Sequence, residues 1–217
     1  RKVVEGNRRF ASQRPDVLHV HSLVTGLGLR ELRAASRLGI RIVLTHHLPS
    51  LGYVCRMGTL MERNTRPCDG LASTRRCTAC MLISRGMPAA AGETLSFLPP
   101  SLSAPFGTIP GPLGTALGMT ASIVRDMARR RELGELVDYQ VVLNDAGRRI
   151  LIANGTPAER IVLNRLGTDH QAVVRKPSVR EAPTGTPVRI GYLGRIDEAK
   201  GVRELLLAVA KLPRNAP

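Results

Sequence analysis

Apolar and polar positions alternate most regularly between residues 16 and 48. Val17-Leu18-His19-Val20-His21 reads as a short strand, introduced by Arg14-Pro15-Asp16. Residues 27–38 follow, with Leu29, Leu32 and Ala35 near three-residue spacing, the apolar stripe of a helix. Gly39 stands where a helix C-terminus takes a left-handed residue. Ile40-Arg41-Ile42-Val43-Leu44-Thr45 then forms a β-branched run. Strand, helix and strand in so short a stretch predict a βαβ unit, and with it a parallel sheet with a right-handed crossover.

The pattern returns downstream. Residues 122–133 read as a helix through Ile123, Val124 and Met127, and Tyr139-Gln140-Val141-Val142-Leu143 as a strand. A short helix over 147–153 ends at Asn154-Gly155. Thr156-Pro157-Ala158-Glu159 carries capping-box residues with Pro in the first helical position, and Ile161-Val162-Leu163 is one more strand. The alternation predicts an α/β fold, a doubly wound, Rossmann-like parallel sheet over residues 1–170. Residues 171–187 hold Pro177, Pro183, Gly185 and Pro187 among charges and read as a linker. After it, Val188-Arg189-Ile190-Gly191-Tyr192-Leu193 starts a strand, and Val202, Leu205, Leu206 and Val209 mark an amphipathic helix. Residues 188–217 therefore open a second α/β domain that stops after one βα unit. With Arg1 first and no charged-then-apolar leader, the chain reads as a piece of a longer protein.

Composition narrows the class. A hydrophobic fraction of 43% over 217 residues excludes a disordered chain. The formal charge is +15, and with Lys only at Lys2, Lys176, Lys200 and Lys211 the surplus is almost entirely Arg. Such a charge points first to nucleic acid or a membrane surface. The arginines are scattered, however, and aromatics are only 3%, too few to interleave and stack bases. Residues 94–124 carry no charged side chain, and the prolines from Pro88 to Pro112 forbid a spanning helix there. A buried, irregular covering of the first domain is the favoured reading; a mobile acceptor loop or membrane-facing surface is the other.

Candidate chemistry falls in three places. His19, His21, His46 and His47 lie at the ends of two consecutive strands, and ligands of open parallel sheets bind outside the carboxyl ends of the strands. His19 and His21 share one strand face. A single strand histidine is more often structural; the set of four is what points to a cleft. His-x-His is also how some hydrolases begin a zinc site, but only His170 remains to complete one.

Cys55, Cys68, Cys77 and Cys80 are the only cysteines, spaced C-x12-C-x8-C-x2-C within an insertion over about residues 53–92. Four thiolates with one knuckle-spaced pair suit a closed structural zinc site, which would stabilise a segment poor in apolar residues. Arg56, Arg66, Arg75 and Arg76 would offset its charge. An iron–sulfur cluster and free or disulfide-bonded thiols remain the alternatives.

The third place is Leu193-Gly194-Arg195-Ile196-Asp197-Glu198-Ala199-Lys200-Gly201. Arg195 leaves a strand and Lys200 sits at a helix start, so both could converge on a phosphate or diphosphate. An ordinary solvated loop is the competing reading of that segment alone.

Taken together, Pro15-Asp16-Val17-Leu18-His19-Val20-His21-Ser22, Val43-Leu44-Thr45-His46-His47, residues Arg160 to Asp169 and Gly191-Tyr192-Leu193-Gly194-Arg195-Ile196-Asp197 with Lys200-Gly201 resemble the retaining family-4 glycosyltransferases. The resemblance spans about residues 12–213, and the cysteine insertion is similar to one in a bacterial subset of that family. It implies a two-Rossmann GT-B fold, of which residues 1–170 form the acceptor-side domain. It also implies transfer of a sugar, with retention, from a nucleotide-diphosphate-sugar to a polysaccharide or lipid-linked acceptor. Arg195 and Lys200 match the pair that grips the donor diphosphate. His47 matches the histidine beside sugar and acceptor, and His21 falls on the acceptor side. Gly167 and Asp169 match the end of an Asn-Gly-x-Asp turn whose Asn is Leu166 here. The family's Glu-x7-Glu segment would lie beyond Pro217 and its first strand before Arg1, so this chain alone is expected to be inactive. The implied setting is the cytoplasm, at or near the inner face of the membrane, where the remaining basic residues leave room for peripheral contact with an anionic membrane. No nucleic acid is expected. The alternative from another class is a basic, zinc-containing nucleic-acid-binding module.

Overall fold

Two units make up the chain in this computed structural model, residues 1–167 and 168–217. The structure describes residues 12–13, 15–24, 26–167, 189–194, 196 and 201–213. In the first unit β1 (Val17–His21) and β2 (Arg41–His46) are followed by a small hairpin, β3 (Met61–Glu62) and β4 (Arg66–Pro67). β5 (Tyr139–Val142) and β6 (Ile161–Leu163) complete the main sheet. Its order is β1-β2-β5-β6, and every neighbouring pair is parallel.

The register explains the burial. Val20 lies opposite Leu44, Leu44 opposite Gln140 and Gln140 opposite Ile161, so these four share one face of the sheet. Strand alternation puts Ile42 and Val142 on that same face. There α1 (Leu29–Arg37) contributes Leu29, Leu32 and Ala35 to the core. The long helix α6 (Met119–Leu136) adds Leu133, and α7 (Asp145–Ala153) adds Ile150 and Leu151. Each such aliphatic side chain removed from water is worth about 1.5–3 kcal/mol, which fixes which face turns inward.

The strand order steps in one direction only, and right-handed crossovers then place every connecting helix on the same side. The parallel four-stranded sheet is compatible with a Rossmann-like fold; the reversal of order that a doubly wound sheet also needs does not occur among the described residues. Val17, Tyr139 and Val162 remain exposed on the opposite face.

Local signals set the helix ends. At the end of α1, Gly39 takes φ +73°, and the Gly39 and Ile40 amides donate to Ser36 and Ala35 carbonyls at 3.0 and 3.1 Å. This is the paired C-terminal bonding that a left-handed glycine permits. Asn144 caps α7, its Oδ1 accepting from the Gly147 amide at 2.7 Å. The expected helix start at Pro157 is only a 3-10 turn, Ala158–Arg160, because β6 pairs with β5 from the next residue.

Two expectations are corrected. The uncharged stretch is helical rather than irregular: α3 (Ala89–Leu95), α4 (Pro100–Ser103), α5 (Pro112–Leu117) and the start of α6 run through it. Pro100 and Pro112 occupy first helical positions, where a missing N–H costs nothing. Nor is the stretch simply buried. Met119 and Ile123 pack with Met81 and Leu82 of α2 (Thr74–Ser84), while Phe97, Leu102 and Leu113 are 59%, 60% and 71% exposed.

The linker 171–187 lies outside the described residues. In the second unit, residues 189–194 are not in a strand, although one was expected over 188–193. A strand exists by pairing, and among the described residues this segment has no partner strand. Helix α8 (Val202–Ala210) forms as its apolar spacing predicts.

Candidate functional site

The carboxyl ends of β1 and β2 bring the histidines together. His21 Nδ1 and His47 Nε2 lie 2.9 Å apart and share a proton, one ring donating to the other. The His19 ring lies 4.3 Å from that of His21, and His19 Nε2 is hydrogen-bonded to Thr45 Oγ1 at 2.8 Å. Ser22, in the left-handed region at φ 65°, turns the chain at the end of β1. Its Oγ accepts from the His47 amide at 3.2 Å, and its own amide donates to the Thr45 carbonyl at 2.9 Å. Strand alternation separates the consecutive histidines: His46 points into the core at 7% exposure, while His47 faces solvent. His46 Nε2–H donates to Gln140 Oε1 at 2.8 Å. Burial pulls the His46 pKa below the ordinary imidazole value, with the Gln140 hydrogen bond opposing weakly, so the ring is neutral.

Two cavities open on this edge, and His46 lines both. The larger, about 670 Å³, is walled by Ser22, Gly28, Ser50, Tyr53, Arg56 and Asp126 among others. The smaller, about 240 Å³, is reached by His47, Asn144 and Gly147. In the larger one Arg56 Nη1 bonds Asp126 Oδ2 at 2.8 Å and Ser122 Oγ at 2.5 Å, and Arg129 also approaches Asp126 at 3.3 Å. Hydroxyls and the Arg56–Asp126 ion pair line a concave wall, a polar surface on which a ligand could be oriented. Ser50 and Asp126 escape a reading of the sequence, and Arg56 is expected only as a counter-charge to the sulfurs. Arg56 and Asp126 are far apart along the chain, and Asp126 lies on a helix face with no local signal that it turns inward.

The sequence-derived candidates divide accordingly. His21 and His47 meet at the strand ends with His19 beside them; His46 lines both cavities and His47 the smaller one, whereas His19 and His21 line neither. Gly167 is exposed and lines neither cavity. Asp169, Arg195 and Lys200 lie outside the described residues, as does His170.

The four cysteines are free thiols, and all four line one further cavity of about 40 Å³. They come from three segments: Cys55 after the turn that follows β2, Cys68 directly after β4, and Cys77 and Cys80 one turn apart on α2. The hairpin between the first two escaped prediction because its turn has no glycine. Arg63 and Asn64 both adopt positive φ, 53° and 60°, and the Thr65 amide closes the turn on the Glu62 carbonyl at 3.0 Å. Burial pushes the Cys77 thiol pKa up, with the nearby Cys68 and Cys80 adding to the shift, while the Ser73 amide and Arg76 oppose it. Of the four arginines expected to balance the sulfurs, Arg76 is beside them, hydrogen-bonded to Asp69 at 2.8 and 2.6 Å and holding that carboxyl below its usual range. Arg56 also lines the thiol cavity, with its guanidinium turned to Asp126. Arg66 pairs with Glu62 and Arg75 lies over the Phe97 ring, because each finds a closer partner outside the cluster. Among the described residues, no three His, Cys, Asp or Glu side chains stand close enough to hold a metal ion as they are. No helix among the described residues is long and apolar enough to cross a membrane.

No family model, curated protein or solved structure matches the chain, so a functional reading rests on its residues and their geometry.

Proposed function

We propose that the chain is the acceptor-side part of a nucleotide-sugar-dependent glycosyltransferase with a GT-B architecture of two Rossmann-like domains. The observation that carries the reading is the His21–His47 pair, 2.9 Å apart at the carboxyl ends of parallel strands, with His47 lining the cavity of about 240 Å³ and Ser22, next to His21, lining the one of about 670 Å³. The two exposed rings can accept and return a hydroxyl proton while the Ser22 and Ser50 hydroxyls and the Arg56–Asp126 pair orient a saccharide. The resemblance to family 4 assigns the donor diphosphate to Arg195 and Lys200; negative charge grows on that group as the sugar leaves, and cations that bind it lower the barrier. Retention of configuration follows from the resemblance to family 4. The exposed Phe97, Leu102 and Leu113 within an uncharged stretch support an acceptor carried by a lipid, delivered at the surface of an anionic membrane.

Calorimetric titration of the chain with UDP-glucose and GDP-mannose, alongside a single-stranded oligonucleotide over a salt series, tests this. Nucleotide-sugar binding that disappears in Arg195→Ala supports it. Steeply salt-dependent binding of the oligonucleotide alone overturns it in favour of a basic nucleic-acid module.

A further inference from the structure

We infer that Cys55, Cys68, Cys77 and Cys80 bind a single zinc ion that cross-links three segments of the chain. Four sulfurs from three separate segments line one cavity, although as they stand no three are close enough to hold an ion. Its remaining walls are largely apolar, including Val54, Leu60 and Met81, so the sulfurs are its main donor atoms. Three of them already accept backbone N–H groups. Gly70 donates to Cys68 Sγ at 3.4 Å, Ser73 to Cys77 Sγ at 3.5 Å and Arg63 to Cys80 Sγ at 3.2 Å. Amides aimed at sulfur stabilise a thiolate, which is the ligating form. Gly70 takes φ +76° to make its bond, a conformation that glycine adopts without strain.

The donor set selects the metal. Four soft thiolates with a knuckle-spaced pair favour a closed four-coordinate zinc site. With Zn–S near 2.3 Å the sulfurs would close to a tetrahedron about 3.8 Å on edge, so binding draws the cavity inward. Four thiols lose four protons to form a centre of net charge −2, and Arg76 is already beside it. The ion would tie the loop before Cys55, the β3–β4 hairpin and α2 together. Arg56, next to Cys55, reaches Asp126 and Ser122 on α6, so the same cross-link would hold one wall of the larger cavity.

The inference is independent of the glycosyltransferase reading and its test reads metal, not activity. The chain is purified from zinc-supplemented cells without chelator, and zinc, iron, acid-labile sulfide and intact mass are measured. The expected result is about one zinc per chain, no sulfide, and loss of the zinc in Cys68→Ser and Cys77→Ser, with His21→Ala unchanged. Cobalt exchanged into the wild-type chain should show sulfur-to-metal charge transfer and intense tetrahedral visible bands. Metal-free protein with four reactive thiols, a mass short by two disulfides, or iron with sulfide would each overturn it. The wild-type measurements decide even if the serine variants fail to fold.

Discussion

Acidification is expected to destabilise this protein through His46. The ring is 7% exposed, and its hydrogen-bond partner is Gln140 Oε1 at 2.8 Å. Burial lowers its pKa below 6.5, while in the unfolded chain it titrates near that value. Above about pH 6.5 both states hold the ring neutral, and its contribution to stability is fully present. Below that pH the unfolded chain binds a proton that the folded chain refuses. Stability then falls with a slope approaching about 1.4 kcal/mol per pH unit until the folded pKa is reached. Urea denaturation across about pH 7.5 to 5 would be run on wild type and His46→Gln. The variant should be less stable throughout, because an amide of another shape fills the imidazole site. The informative quantity is the difference between the two curves, in which the other titrating groups cancel. It should be flat above about pH 6.5 and shrink below it, by up to about 1.4 kcal/mol over one unit. A difference that stays constant through that range would show that His46 is not held neutral, and the reasoning would fail.

Gly70→Ala and Gly39→Ala separate backbone strain from crowding. Both glycines have positive φ, but a Cβ at Gly70 would sit 2.6 Å from Ile150 Cγ1, whereas at Gly39 nothing lies within 4 Å. The Gly39 change should cost about 1–2 kcal/mol, and the Gly70 change a further 1–3 or so, read from urea midpoints. Ser103 is buried, donating to the Leu117 carbonyl at 2.6 Å and accepting from the Ala121 amide at 3.2 Å. Ser103→Ala should cost about 1–3 kcal/mol by orphaning both groups; a change within error would mean that α4 is not pinned there. On the membrane side, the chain should co-sediment with phosphatidylglycerol-containing vesicles, and Leu102→Glu with Leu113→Glu should abolish this without altering the melting temperature. Unchanged sedimentation of the double variant would move the contact elsewhere.

How much was legible in the sequence varies by feature. β1, β2, α1 and the turn at Gly39 follow from spacing and one glycine, because pairing potential, helical stripes and caps act within a few residues. The histidine cluster was legible for the same reason: strand ends are local, and the parallel sheet places consecutive ends side by side. The β3–β4 turn was not, since Arg63 adopts a left-handed conformation that its own propensity does not favour. Nor was the uncharged stretch, where proline as a helix starter and proline as a breaker look alike until the next turn packs.

The sequence by itself therefore determined the alternation of strands and helices, the apolar face of each, and the spacing of the sulfurs. Tertiary structure alone decided that the sheet runs in one direction among the described residues. It also decided that Arg56 meets Asp126, and that four cysteines from three segments face one cavity. Each of these depends on contacts between residues far apart in the chain, whose formation is set by how the faces pack rather than by any local preference.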